Sequence, residues 1–181
     1  MINVPYFVQS TPYTCGPASL NMMLLFHGVK KTEQELHDRL NTDPEIGTRH
    51  RDMIRVAQEE GFYVFENDNS SVVEIGGLLK HHIPVIVHFT EPSEDEHHYA
   101  VVVQVDSTHL MLNDPWNGEK ITMEIEDFMT RWSSEKSSEE NWLMAISKEP
   151  FSLGRQYDPI DNVASKQVLI NTDEETVSIP D

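Results

Sequence analysis

One cysteine occurs in 181 residues, and its setting is one that can make a thiol reactive. Cys15 sits in Thr14-Cys15-Gly16-Pro17, at the head of the apolar stretch GPASLNMMLLFH (16–27). If that stretch is helical, the thiol meets unpaired N–H groups and the positive end of the helix dipole, both of which favour an anion. A neighbouring imidazolium would add to the effect. Gly16 leaves space beside the sulfur for a substrate backbone. The plain alternative is a small buried apolar residue with no chemistry.

A thiolate needs a base, and there are nine histidines. His27 ends the apolar helix, where a cation suits the dipole. His37 and His50 read as solvated, His81 and His82 end a second helix, and His109 opens a strand. His98 differs because it begins the run HYAVVV, which would hold its ring on a rigid strand. His97 points to the opposite face by alternation, so only one of the two meets Cys15. His98 is preferred, with His97 as the lesser candidate. A catalytic imidazole also needs an acceptor for its second nitrogen. Asp114 ends the following strand, and a hairpin would return it to His98; on its own, Asp114-Pro115 is an ordinary turn. Gln9, six residues before Cys15, could hold an oxyanion jointly with the Cys15 backbone N–H. Alone it is one polar residue among many.

These residues need elements to carry them. Pro17 at an early helical position and Gly28 as a stop bound the helix at 16–27, and its apolar character nearly all round predicts a buried central helix. Thr32 and Glu35 form a capping-box pattern before a short helix to Leu40, and Ser71 with Glu74 repeats it before a helix to about His81. A further helix is predicted over 49–60, with a strand at 62–65. From residue 83 the period becomes that of strands: 83–89, 98–105, 109–113 and 119–125, then a short helix at 126–132 and a last strand at 142–147. Helices first and strands after predict an α+β fold with a mostly antiparallel sheet. Residues 1–150 form the expected domain, and 151–181 an acidic, loosely attached tail.

Composition narrows the partners. There are 31 acidic and 13 basic residues, for a formal charge of −18. That field repels nucleic acid and anionic membrane and favours cationic partners. The loop Glu91-Pro92-Ser93-Glu94-Asp95-Glu96 runs straight into His98; lining a cleft it would favour Lys or Arg in a substrate, and otherwise it is a solvated hairpin loop. A single cysteine excludes an internal disulfide framework and suits a reducing cytoplasm. No signal-peptide pattern and no apolar run long enough to span a bilayer is present, so a cytoplasmic protein is expected. No His/Cys spacing has the form of a zinc site, and neither metal nor cofactor is expected.

The segment VPYFVQSTPYTCGPASLNMML (4–24) resembles the nucleophile region of papain-like cysteine peptidases of the bacteriocin-processing, double-glycine-leader family. There a glutamine, five residues and Cys-Gly open the domain. HHYAVVV (97–103) resembles that family's His-aromatic-hydrophobic strand, and NDPWNGEKITMEIEDFMTRW (113–132) its Asp-Pro segment. The likeness runs in order over about residues 3–148. It implies a papain-like fold, with Cys15 as nucleophile, His98 as base, Asp114 as its orienting residue and Gln9 at the oxyanion. It also implies a thiol hydrolase that cleaves a peptide or isopeptide bond through a thioester, with a peptide or protein as substrate. With no membrane span or nucleotide-binding P-loop beside the motif, a stand-alone soluble form is expected. A related acyl transferase or amidase, and a catalytically silent peptide-binding module, are the alternatives.

Overall fold

The apolar stretch after Thr14 does form a helix, and it is the buried axis of the molecule. The computed structural model describes residues 1–132, 141–152 and 154–160. Helix α1 (Cys15–Phe26) buries every residue from Cys15 to Leu24. Helix α2 (Glu33–Arg39) opens on the complete capping box of Thr32 and Glu35. Helices α3 (His50–Glu59) and α4 (Val72–Lys80) flank strand β1 (Tyr63–Asn67). At α4 only half of the expected box forms: Ser71 accepts from the Glu74 N–H, while the Glu74 carboxylate takes the Asn67 amide instead.

Strands β2 (Val85–Thr90), β3 (His97–Val105), β4 (His109–Asp114) and β5 (Gly118–Glu124) follow. Helix α5 (Ile125–Trp132) precedes β6 (Leu143–Ser147) and the two-residue β7 (Gln156–Tyr157). Among the described residues they form one sheet in the order β5-β4-β3-β2-β6-β1-β7, with each pairing antiparallel. The fold is α+β.

Alternation along β3 explains why its sequence is apolar without a break. Tyr99, Val101 and Val103 pack in one core with α1, α2 and α3, whereas Ala100 and Val102 pack in a second core with Ile75 and Leu78 of α4 and Phe128 and Trp132 of α5. A strand buried on both faces has no solvent side to mark with polar residues.

The first nine residues fasten to the far half of this sheet. Ile2 donates its N–H to Val103 O (2.9 Å), Asn113 Nδ2 donates to Val4 O (3.1 Å), and Gln9 N–H donates to Pro115 O (3.1 Å). The sheet also reaches beyond Pro150, where composition placed the start of a loose tail. Gln156 and Tyr157 pair with β1, Phe151 packs on Phe65 (5.7 Å between centroids), and Ile160 N–H donates to Gln58 O (3.0 Å). A few aromatic and backbone contacts anchor these residues, too few to give a periodic signal. Residues 161–181, the rest of the expected tail, lie outside the described residues.

Two expectations are corrected. His50 is not solvated: it stacks on Trp142 at 3.8 Å and stands 5.0 Å from His88, which itself stacks on Tyr99 at 4.5 Å. Nor does Gly16 leave room for a substrate. A Cβ there would lie 2.5 Å from Thr48 Oγ1 and 2.6 Å from Thr48 Cβ, so the missing side chain lets the 42–48 segment close on the helix. Thr48 is itself held by Thr42 at 2.8 Å. Gly16→Ala should therefore cost about 1–3 kcal/mol, the usual penalty of overpacking, read as a drop in unfolding midpoint in urea.

The buried histidines give a pH dependence. Burial lowers the His50 pKa to about 4; burial, then the neighbouring His50, His97 and His98, lowers that of His88 to about 3. Both sit below the unfolded value near 6.5, so their stabilisation is complete above pH 6.5 and is lost as pH falls, by about 1.4 kcal/mol per unit for each ring. Urea titrations between pH 7 and 4 should show this loss, and His88→Phe should cut it by about half, since His50 remains. A slope unchanged in that variant contradicts the assignment.

Candidate active site

Cys15 occupies the first position of α1 and is 6% exposed. Thr14, at the N-cap, makes no side-chain cap; its hydroxyl turns back to the Thr11 carbonyl at 3.2 Å. The first-turn N–H groups are thus not taken up by a cap, and the positive end of the helix faces the thiol.

His98, near the start of β3, is 4% exposed, and Asp114, at the end of β4, is fully buried. His98 Nε2 donates to Asp114 Oδ1 at 2.7 Å, and the His98 ring also interacts with the Cys15 side chain. Burial opposes the charged imidazole, but hydrogen bonding and charge from Asp114 and Cys15 outweigh it and push the His98 pKa up to about 9. For Asp114, burial favours the neutral acid, and the His98 and Asn117 contacts more than reverse that, so its pKa is lowered.

Asp114 is itself heavily constrained. Its Oδ1 accepts the backbone N–H groups of Trp116 (2.8 Å) and Asn117 (2.9 Å), and its Oδ2 accepts Asn117 Nδ2 (3.1 Å). The same Asn117 amide donates to Glu91 Oε2 at 3.0 Å. Glu91, only 2% exposed, also accepts from Ser93 N–H, Ser93 Oγ and Glu94 N–H. Burial opposes its charge, yet these donors pull its pKa down to about 2. One amide therefore bridges two buried carboxylates. Sequence reasoning passes over Asn117 and reads Glu91 only as part of an acidic loop. The available signal was Asp114 itself, since an aspartate opening a turn accepts the N–H groups two and three residues on.

Gln9 is 5% exposed and lines the same cleft as Cys15 and His98. Its Nε2 donates one hydrogen to Thr11 O at 2.7 Å, and Oε1 is buried with no protein partner. The four residues marked in the sequence therefore come together. His97 and His98 do lie on opposite faces of β3, His97 beside His88 (5.5 Å) and His98 beside Phe89 (6.2 Å). Both nevertheless border the cleft, because β3 begins at its edge. Only His98 pairs with Asp114.

The model of the peptidase C39 family matches residues 3–136. An uncharacterized protein of Methanothermobacter thermautotrophicus is 34% identical over 121 residues, covering 67% of this chain and 78% of that one. An uncharacterized protein of Methanothermobacter marburgensis is 34% identical over 110 residues, covering 61% and 70%. Among solved structures, the peptidase domain of Streptococcus ComA, a bifunctional ABC transporter of a quorum-sensing pathway, superimposes with a TM-score of 0.67 at 20% identity, over 81% of this chain and all of that one. A double-glycine-motif protease from an AMS/PCAT transporter, in complex with its leader peptide, gives 0.62 at 18% identity, over 80% and 91%. At these identities the structural likeness is one of fold. No helix among the described residues is long and apolar enough to cross a membrane.

The His98 pair makes its own prediction. An unfolded histidine titrates near 6.5 and His98 near 9. The stabilisation from its charge is thus complete below pH 6.5 and is lost as pH rises through 9. Asp114→Asn keeps the shape but removes the anion, leaving only the Cys15 contacts to oppose burial. The pKa should fall by about 1–3 units, measured by NMR titration of the ring, and the loss of stability between pH 6.5 and 9 should shrink by the same shift. An unmoved pKa would show that Asp114 does not govern the ring.

Proposed function

Because the chain belongs to the peptidase C39 family, we propose that it is a cysteine peptidase whose nucleophile is Cys15. The observation that supports this most is the buried His98–Asp114 pair at 2.7 Å beside the only thiol in the chain. His98 bonds Asp114 through Nε2, which leaves Nδ1 as the nitrogen that exchanges a proton with Cys15. Because His98 is charged below about pH 9, Nδ1 already holds the proton taken from Cys15, and the thiolate attacks the substrate carbonyl carbon. The developing oxyanion accepts from the Cys15 backbone N–H and from the Gln9 amide hydrogen that Thr11 does not use. As the C–N bond breaks, the imidazolium gives its proton to the departing amine and a thioester remains. Water, deprotonated by the same ring, then attacks the thioester, and the proton returns to sulfur. Asp114 stays ionised throughout and holds the tautomer.

Peptide or protein is the substrate class. The cleft at Cys15 has a volume of about 430 Å³, room for a short stretch of extended chain. The transporter protease of the same fold binds a leader peptide, and from it we carry over only that a polypeptide is bound.

The test compares two assays in one set of variants: cleavage of a peptide library followed by mass spectrometry, and alkylation of Cys15 by iodoacetamide. Cys15→Ala should abolish both. Gln9→Ala should lower turnover by about 10²–10³ and leave alkylation largely intact, since alkylation forms no oxyanion. A silent peptide-binding module would give no turnover in any variant, wild type included. Equal slowing of both reactions in Gln9→Ala would make Gln9 a support of the fold.

A further inference from the structure

The walls of the Cys15 cleft carry an uncompensated charge. Glu45 of the 42–48 segment and Glu94 and Glu96 of the loop before β3 all line the cleft, all three exposed, and no Lys or Arg is among the lining residues. The acidic loop thus lines the cleft rather than standing off in solvent as a hairpin tip. Its other acidic side chains are already engaged: Asp95 by Arg131 at 3.0 Å, and Glu91 by Ser93 and Asn117. Glu45, Glu94 and Glu96 have no ion pair among the described residues.

The loop is also held in place. Glu91 N–H bonds Glu96 O at 2.9 Å, the buried Glu91 carboxylate collects the turn's N–H groups, and Arg131 Nη1 reaches Glu91 O at 3.4 Å. The outer carboxylates therefore face the cleft from a fixed frame. Two apolar side chains border the same opening, Ile46 at 60% and Trp116 at 42% exposure. A Lys or Arg stem lies well on such surfaces, with its cation over an indole face. Independently of the acidic residues, Gln9 lines this cleft with a buried carbonyl oxygen that has no protein partner. An N–H from a bound peptide backbone is a fitting donor to it.

We propose that this cleft selects polypeptide segments carrying Lys or Arg next to the bond presented to Cys15. The inference deepens the peptidase reading and rests on it for the word bond; the charge selection itself can be tested without turnover. The lone cysteine makes every thiol label a report on this cleft. The full chain is treated with cationic aminoethyl and anionic sulfonatoethyl methanethiosulfonate, each rate being divided by that of free cysteine. The cation should be favoured at least tenfold at low salt and much less in 0.5 M sodium chloride. Combining Glu45→Gln, Glu94→Gln and Glu96→Gln should cut that preference at least threefold. Combining Glu124→Gln, Glu126→Gln and Glu149→Gln, none of which lines the cleft, should leave it nearly unchanged. Tetralysine should slow iodoacetamide labelling of Cys15 severalfold, and tetraglutamate should not. Equal normalised rates, a preference the cleft substitutions do not alter, or no protection by tetralysine overturns the proposal. Absence of peptide cleavage alongside an intact charge preference would instead count against the peptidase reading.

Discussion

Two ionisable side chains, His98 and Asp114, share a hydrogen bond in a place with almost no water, and the surrounding structure is arranged around that fact. A lone buried carboxylate is unfavourable by several kcal/mol. Asp114 meets this with four donors: one imidazole, two backbone N–H groups and one amide. The backbone donors exist only because residues 114–117 fold as a tight turn, and the turn is held from both sides. Asn113 sits at a register shift in the β4–β5 ladder, where its Oδ1 accepts from Lys120 N–H and its Nδ2 donates to Val4 O. Tyr6 donates to the Asp114 carbonyl at 2.9 Å. The amino-terminal segment is thus both a strap over the sheet and the carrier of Gln9.

The other half of the site is set by apolar packing. Helix α1 has no polar face, so it has no orientation in which solvent could reach it, and the sheet and α2–α3 enclose it. That enclosure fixes where its first residue emerges. Ser19 donates to Tyr99 O at 3.1 Å, and Tyr99 donates to Thr48 O at 2.8 Å, tying helix, strand and the 42–48 segment together near Cys15. The placing of Cys15 and the buried ion pair come from opposite kinds of physics, and β3 is where they meet: Tyr99 faces the helix side and His98 the Asp114 side.

Most elements were legible because their patterns are local. The apolar run of α1, the Thr32 box, and the β-branched runs from residue 83 each specify structure within a few positions. Cys15, His98 and Asp114 could be singled out because each falls at the end of such an element. What could not be read depends on contacts between distant segments. Glu91 and Asn117 are 26 residues apart and become partners only when two hairpin ends converge. Gly16 reads as open space until Thr48 is placed against it. His50 lies in a polar stretch of sequence, and only the arrival of Trp142 and His88 buries it. Strand β7 has two residues, below the length at which any periodicity shows.

The short passage from Gln9 to Cys15 is pinned at both ends, by the Gln9–Pro115 bond on one side and by the buried helix on the other. Between the pins, Ser10 and Pro12 are exposed and Thr11 and Tyr13 half-buried. This passage works as a ruler. Its side chains are free to drift wherever they face water, but its length is not. Removing one residue takes away at most about 3.5 Å of reach from a passage that already closes a turn, Thr14 N–H to Thr11 O at 3.3 Å, and would pull the Gln9 amide off its carbonyl or unwind the first turn of α1. The number of residues between glutamine and cysteine is therefore a harder constraint on divergence than their identity.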